Sequence, residues 1–172
     1  ETGNELLTFS GHTHSLRSCA VSPSSDLAAT GSLDGSIKIW GVNDAVEIQT
    51  LVGHSDQVRG CTFSNSGKLL ISCSNDKTLK IWNVANGENL YTLTGHTDDV
   101  CRCALSSDDS FIVSSSADNN LKVWSLENGE LRRTLVGHRD EVRGCAILPD
   151  QRHVISTSLD RSLKLWDLQT GS

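Results

Sequence analysis

The 172-residue chain has no methionine, two prolines, one tyrosine and three phenylalanines. Without methionine the chain does not start at an initiator, so it reads as a processed product or an excerpt of a longer protein. Sparse aromatics weaken a carbohydrate-binding alternative, because sugar-binding surfaces of repeat proteins favour recurring aromatic pockets. No apolar run approaches the roughly 20 residues of a membrane-spanning helix, and no signal peptide is visible. Positive charge is in deficit: 15 Lys and Arg face 21 Asp and Glu, a net charge of −6. The basic residues are scattered, which argues against a nucleic-acid surface, since that needs a basic patch or stripe. No glycine-rich phosphate loop of the dinucleotide or P-loop kind is present.

What the chain does have is a period. Gly-His occurs at Gly11-His12, Gly53-His54, Gly95-His96 and Gly137-His138, each 42 residues after the last. Trp40, Trp82, Trp124 and Trp166 keep the same step, as do Asp34, Asp76, Asp118 and Asp160. A fixed period of this size means stacked copies of one supersecondary unit. The chain is therefore one repeat array over residues 1–172, with repeats at about 5–46, 47–88, 89–130 and 131–172. Recurring residues belong to the scaffold; departures from the pattern are the candidates for function.

The six cysteines follow this logic. Cys19, Cys61, Cys103 and Cys145 are one position seen four times. Equivalent positions in neighbouring repeats rarely meet disulfide geometry, so they are expected to be small buried hydrophobes. Cys73 and Cys101 are extra. Unpaired cysteines point to a reducing, cytoplasmic compartment.

Each copy carries four strand signals separated by turns. In the second they are Glu47–Leu51, Val58–Phe63, Leu69–Ser74 and Thr78–Trp82. Ser64-Asn65-Ser66-Gly67, Asn75-Asp76-Lys77 and Asn86-Gly87-Glu88 supply residues that tolerate turn backbone angles. No segment shows a sustained helical period. Four strands per unit without helices imply an all-β fold, and radial closure is the arrangement that leaves such units no long exposed edge.

The first copy, GHTHSLRSCAVSPSSDLAATGSLDGSIKIW, and the fourth, GHRDEVRGCAILPDQRHVISTSLDRSLKLW, resemble the WD-repeat β-propellers, and the likeness covers essentially the whole chain. One departure is mild: only the fourth copy has Trp-Asp itself, at Trp166-Asp167. The resemblance implies four four-stranded blades, each holding a hydrogen-bonded tetrad. Carried over by position these are His12, Ser32, Asp34 and Trp40; His54, Ser74, Asp76 and Trp82; His96, Ser116, Asp118 and Trp124; and His138, Ser158, Asp160 and Trp166. A partly buried network of this kind is worth keeping only if it is satisfied throughout.

Ser, His and Asp are also the residues of a hydrolytic triad. Catalysis needs one special constellation, whereas this set recurs in every copy, so no enzymatic activity and no cofactor are expected. Cys101-Arg102-Cys103 offers two thiols without a second pair, which is weak support for zinc.

Propellers have about 4 to 8 blades. Four closing alone would each turn by about 90°, against about 45° in a ring of eight. An open arc would leave two apolar faces bare. The chain also begins with a fourth-strand segment, Glu5–Phe9, equivalent to Glu47–Leu51, Asn89–Leu93 and Leu131–Leu135. In the family that strand belongs to the preceding blade, here the one ending in Trp166. An eight-bladed ring of two chains would close both gaps identically. A self-contained four-bladed monomer and a fragment of a longer propeller stay open as alternatives.

The family implies protein or peptide partners, commonly bound where the Gly-His loops and inner strands meet the central channel. Five residues after each His stand Arg17, Arg59, Cys101 and Arg143. Flanking them are His14, Asp56, Asp98 and Asp140, then Ser15, Gln57, Asp99 and Glu141. Two readings are open. The arginines pair within the rim, for example Arg59 with Asp56, which is worth little at a surface. Or they form a mouth for an acidic peptide, since the guanidinium fork matches carboxylate and phosphate. Lys38, Lys80, Lys122 and Lys164 recur two residues before each Trp and read as solvated strand residues. Arg132-Arg133 is unique to the fourth copy, on an outer strand.

Overall fold

The computed structural model describes residues 3–170, which form fifteen strands and, among the described residues, no helix. Three sheets have four antiparallel strands in sequence order. The first is β1 (Leu16–Val21), β2 (Leu27–Ser32), β3 (Ile37–Gly41) and β4 (Glu47–Leu51). The second is β5 (Val58–Phe63), β6 (Leu69–Ser74), β7 (Leu79–Asn83) and β8 (Asn89–Leu93). The third is β9 (Val100–Leu105), β10 (Phe111–Ser116), β11 (Asn120–Ser125) and β12 (Leu131–Val136). The fourth has only β13 (Val142–Ile147), β14 (His153–Ser158) and β15 (Leu163–Asp167). Every tryptophan lies in a third strand, and every Gly-His precedes an innermost one.

Two expectations need correction here. The fourth sheet is three-stranded, and Glu5–Phe9 forms no strand. The reason is geometric: the edge that this segment matches, β15, lies at the opposite end of the array. Phe9 instead sets its ring edge-on to Trp40, 5.9 Å between centroids.

The core is three clusters, each lying between neighbouring sheets. Ala29, Ile37, Ile39 and Leu51 of the first sheet meet Val58, Phe63, Leu70 and Trp82 of the second. The same arrangement shifted by one repeat joins the second sheet to the third and the third to the fourth. Successive side chains face opposite ways, and along β6 and β10 nearly all of them are buried, because a neighbouring sheet covers each face. Each fully buried Ile or Leu is worth about 1.5–3 kcal/mol. The cysteine expectation holds only in part. Cys73 and Cys101 are buried, Cys61, Cys103 and Cys145 are half-buried, and Cys19 is exposed. The Cys61 and Cys145 thiols point to Ala29 O and Val113 O of the preceding sheet, at 3.8 and 3.6 Å. Cys19 has no preceding sheet to cover it.

Candidate functional site

Three of the four residues in each expected tetrad come together, but the hydroxyl is not the one expected. In the second sheet His54 Nδ1 lies 2.7 Å from Asp76 Oδ2, and His54 Nε2 lies 2.7 Å from Ser72 Oγ. The Trp82 indole N–H donates to the same Ser72 Oγ at 2.8 Å. Ser114 and Ser156 do the same for His96 with Trp124 and for His138 with Trp166. Thr30 serves His12 and Trp40. A neutral imidazole with its proton on Nδ1 satisfies the whole chain, from indole to hydroxyl to imidazole to carboxylate.

Ser32, Ser74, Ser116 and Ser158 stand two residues on and do a neighbouring job. Ser74 Oγ donates to Asp56 O and accepts from the Asp76 backbone N–H, each at 3.0 Å, which fixes the turn presenting the carboxylate. Ser32, Ser116 and Ser158 hold their turns the same way. Burial pushes the Asp76 carboxyl up, but hydrogen bonds from His54 and Thr78 outweigh it and hold it well below the carboxylate range. Asp118 follows the same balance and is held at about 2. The glycine of each Gly-His is set by the same ring: a Cβ on Gly53 would stand 3.1 Å from Trp82 Cη2.

The rim is built by a distortion common to all four inner strands. Register slips between Leu16 and Ser18, Val58 and Gly60, and Val142 and Gly144, and also on β9 opposite Ser115 and Ser116. The extra residues at these β-bulges are Arg17, Arg59, Cys101 and Arg143. A bulge re-aims a side chain that a regular pleat would point elsewhere. All four line one cavity of about 250 Å³, together with Arg102. A second cavity of about 520 Å³ runs along β1, β5 and β9 and shares Arg17 and Arg102 with the first.

The arginines are not equivalent. Arg59 donates from Nε to Asn75 Oδ1 at 2.7 Å and stands 3.8 Å from Asp99. This places its carboxylate partner in the next sheet rather than at Asp56. Arg143 pairs with Glu141 and reaches Cys101 Sγ at 3.9 Å. Arg102 donates to Arg59 O at 3.2 Å and has no carboxylate partner among the described residues. The Arg17 side chain is exposed and, among the described residues, makes neither hydrogen bond nor ion pair. Burial, helped by Asp98, pushes the Asp99 carboxyl up, against the pull of Arg59. His14, Asp56, Asp98 and Asp140 are exposed on the loops outside this ring.

Arg102 is the residue that sequence reading missed. Its position is Ser18, Gly60 and Gly144 in the other copies, so a break in the repeat was there to be found. The recurring lysines are less solvated than expected. Lys38, Lys80 and Lys122 donate to Thr50, Thr92 and Thr134 on the fourth strands, at 2.8, 2.8 and 3.0 Å, and Lys122 is buried. Arg132 and Arg133 line a groove of about 290 Å³ between the third and fourth sheets, away from the rim. Among the described residues, no three or more His, Cys, Asp or Glu side chains are grouped as metal ligands would be.

The WD domain, G-beta repeat family matches four times, at residues 3–41, 45–83, 87–125 and 129–167. A search of curated proteins returns no match. Four matches in register with the four sheets, each spanning one Gly-His, one bulge and one tryptophan, settle the family: the chain belongs to the WD-repeat proteins.

Proposed function

We propose that the chain is a non-catalytic scaffold that binds an acidic peptide or protein segment at the bulge-lined rim, on a ring of eight blades made by two chains. Repeats of this family generally mediate protein–protein interaction. One observation carries the choice of face: four inner-strand bulges aim Arg17, Arg59, Cys101 and Arg143 at a single cavity, where Arg102 joins them. Asp99 and Glu141 offset Arg59 and Arg143, so Arg17 and Arg102 hold the uncompensated charge. A recessed, low-dielectric mouth focuses that charge despite the negative chain. The six unpaired cysteines favour a reducing compartment such as the cytoplasm.

The test is titration of a fluorescent acidic peptide at low and high salt. Binding to the unmodified protein should weaken as salt rises. It should fall at least tenfold in Arg17→Ala/Arg102→Ala, and less in Arg59→Ala/Arg143→Ala. Equal binding by all three proteins sinks the choice of face.

A further inference from the structure

We propose that the groove between the third and fourth sheets is a second docking site, built for an acidic peptide segment that seats one apolar side chain between carboxylates. It lies among the outer strands and shares no residue with either rim cavity.

The preceding repeat supplies the control. A groove of about 310 Å³ runs between the second and third sheets. Advanced by one repeat, its apolar floor of Leu69, Ile81 and Leu126 becomes Phe111, Val123 and Leu168, which line the groove of about 290 Å³ between the third and fourth. The floor is kept and the walls change. Leu90 and Tyr91 are replaced by Arg132 and Arg133, and the carboxylates Asp109 and Glu127 by Gln151 and Gln169. A third guanidinium, Arg152, lines the wall at the position that is Ser110 one repeat earlier. The groove does not depend on a fourth strand beside β15, because its counterpart stays open against the four-stranded third sheet. The same apolar floor thus carries an acidic border in one groove and a basic border in the next.

A bulge brings both arginines of β12 to this groove. Successive side chains of a regular strand face opposite ways, yet Arg132 and Arg133 line one wall. Arg133 stands opposite Val123, and Leu131 opposite Trp124, so Arg132 is the extra residue between them. A bulge of this kind re-aims its side chain. Arg132 donates to Ser125 Oγ at 3.2 Å and has no carboxylate partner among the described residues. The half-buried Arg133 side chain makes neither hydrogen bond nor ion pair among them. Arg152 pairs with Asp167, so Arg132 and Arg133 hold the uncompensated charge of the groove. Gln151 brings no competing negative charge: its amide oxygen accepts from the Ser107 backbone N–H at 2.8 Å, and its amide nitrogen donates to Leu148 O at 3.2 Å. A concave apolar floor with a few convergent polar groups is the usual form of a ligand site. Here the polar groups are guanidinium forks, which match carboxylates. An extended peptide with one aliphatic side chain on the floor sets its flanking carboxylates against both.

The probe is a capped, fluorescein-labelled Asp-Glu-Leu-Glu-Asp peptide, titrated by anisotropy against the full chain carrying Arg17→Ala/Arg102→Ala, so that binding at the rim does not contribute. Binding should be saturable and should weaken as salt rises. Adding Arg132→Leu/Arg133→Tyr installs the pair that the second sheet already carries at these positions, so far-UV circular dichroism should not change. That variant should weaken binding roughly tenfold or more, and a probe with glycine in place of leucine should bind more weakly to the parent. A photoactivatable leucine in the probe should cross-link to the segments that hold Phe111, Val123 or Leu168. Affinity that survives the Arg132/Arg133 change, indifference to the probe's leucine, or cross-links on β1, β5 or β9 would overturn the proposal. Absence of saturable binding in the Arg17/Arg102 background overturns the groove site and leaves the rim reading standing. Capture by phosphatidylserine vesicles without peptide binding would make the groove a membrane contact and overturn the peptide assignment.

Discussion

Removing one hydroxyl, in Ser72→Ala, tests the central network of the second sheet. Ser72 Oγ receives the Trp82 indole N–H at 2.8 Å and lies 2.7 Å from His54 Nε2. Ser72 is fully buried and Trp82 is 2% exposed, so water does not readily replace the lost group. Each buried polar group left without a partner costs about 1–3 kcal/mol. With two such groups, the variant should lose about 2–4 kcal/mol. Ser74→Ala removes a hydroxyl that bridges a turn to an exposed loop, and should lose about 1 kcal/mol. Two further variants separate the hydrogen bond from the packing. Ser72→Thr copies Thr30 of the first sheet, keeps the donor, and should stay within about 1 kcal/mol of the parent. Ser72→Val has nearly the same shape without the hydroxyl and should take the full loss. Guanidinium unfolding followed by tryptophan fluorescence gives the ranking, and the Trp82 indole proton resonance reports the bond directly. Thr and Val variants that unfold together, or Ser74→Ala as costly as Ser72→Ala, would refute the assignment.

Acid should loosen the third sheet through Asp118. Its carboxyl is held at about 2 against an ordinary 3.8; the value is depressed in the folded state, so its contribution is complete above 3.8 and fades as pH falls towards 2. Unfolding midpoints measured from pH 5 to 2 should drop less steeply in Asp118→Asn. Arg161 holds φ at 68°, where the first copy has Gly35 at 81°, and left-handed backbone costs a side chain about 1–2 kcal/mol. Arg161→Gly should therefore raise the melting temperature by about 2–4 °C in calorimetry. Arg102→Gly, which installs the residue of the second and fourth copies, should leave stability within about 0.5 kcal/mol while weakening acidic-peptide binding at low salt.

Recurrence made the fold legible and limited what it could resolve. The four strand signals of the second copy fall within one residue of β4, β5, β6 and β7, because turn residues and alternation are local properties. The tetrad hydroxyl was not legible. Thr30, Ser72, Ser114 and Ser156 recur as faithfully as Ser32, Ser74, Ser116 and Ser158, so period alone could not choose between them. The choice depends on which hydroxyl faces the indole across the third strand, a matter of tertiary register. Burial of Lys122 and exposure of Cys19 were equally hidden, since each depends on the presence or absence of a neighbouring strand or sheet. The pairing of Arg59 with Asp99 crosses from one sheet to the next, beyond a reading made within one copy.

The four copies act as controls on one another, and the third copy departs at the rim in a particular way. Second and fourth copies read Arg59-Gly60 and Arg143-Gly144; the third reads Cys101-Arg102. One arginine is kept per copy, but in the third it moves one residue along the inner strand. The move takes the guanidinium off the bulge and onto the residue that also lines the larger cavity. The vacated bulge is filled by a buried thiol, which Arg143 approaches from the next sheet. Burial pushes the Cys101 thiol up, keeping it neutral although Arg143 and Arg59 stand nearby. Loss of one rim arginine alone would leave a gap; this pair of departures keeps the charge and shifts it by one residue along β9. Arg17 and Arg102 thereby become the two arginines common to both cavities. That shift is what favours the end of the rim shared by the two cavities, rather than its acidic collar, as the place where the proposed acidic segment binds.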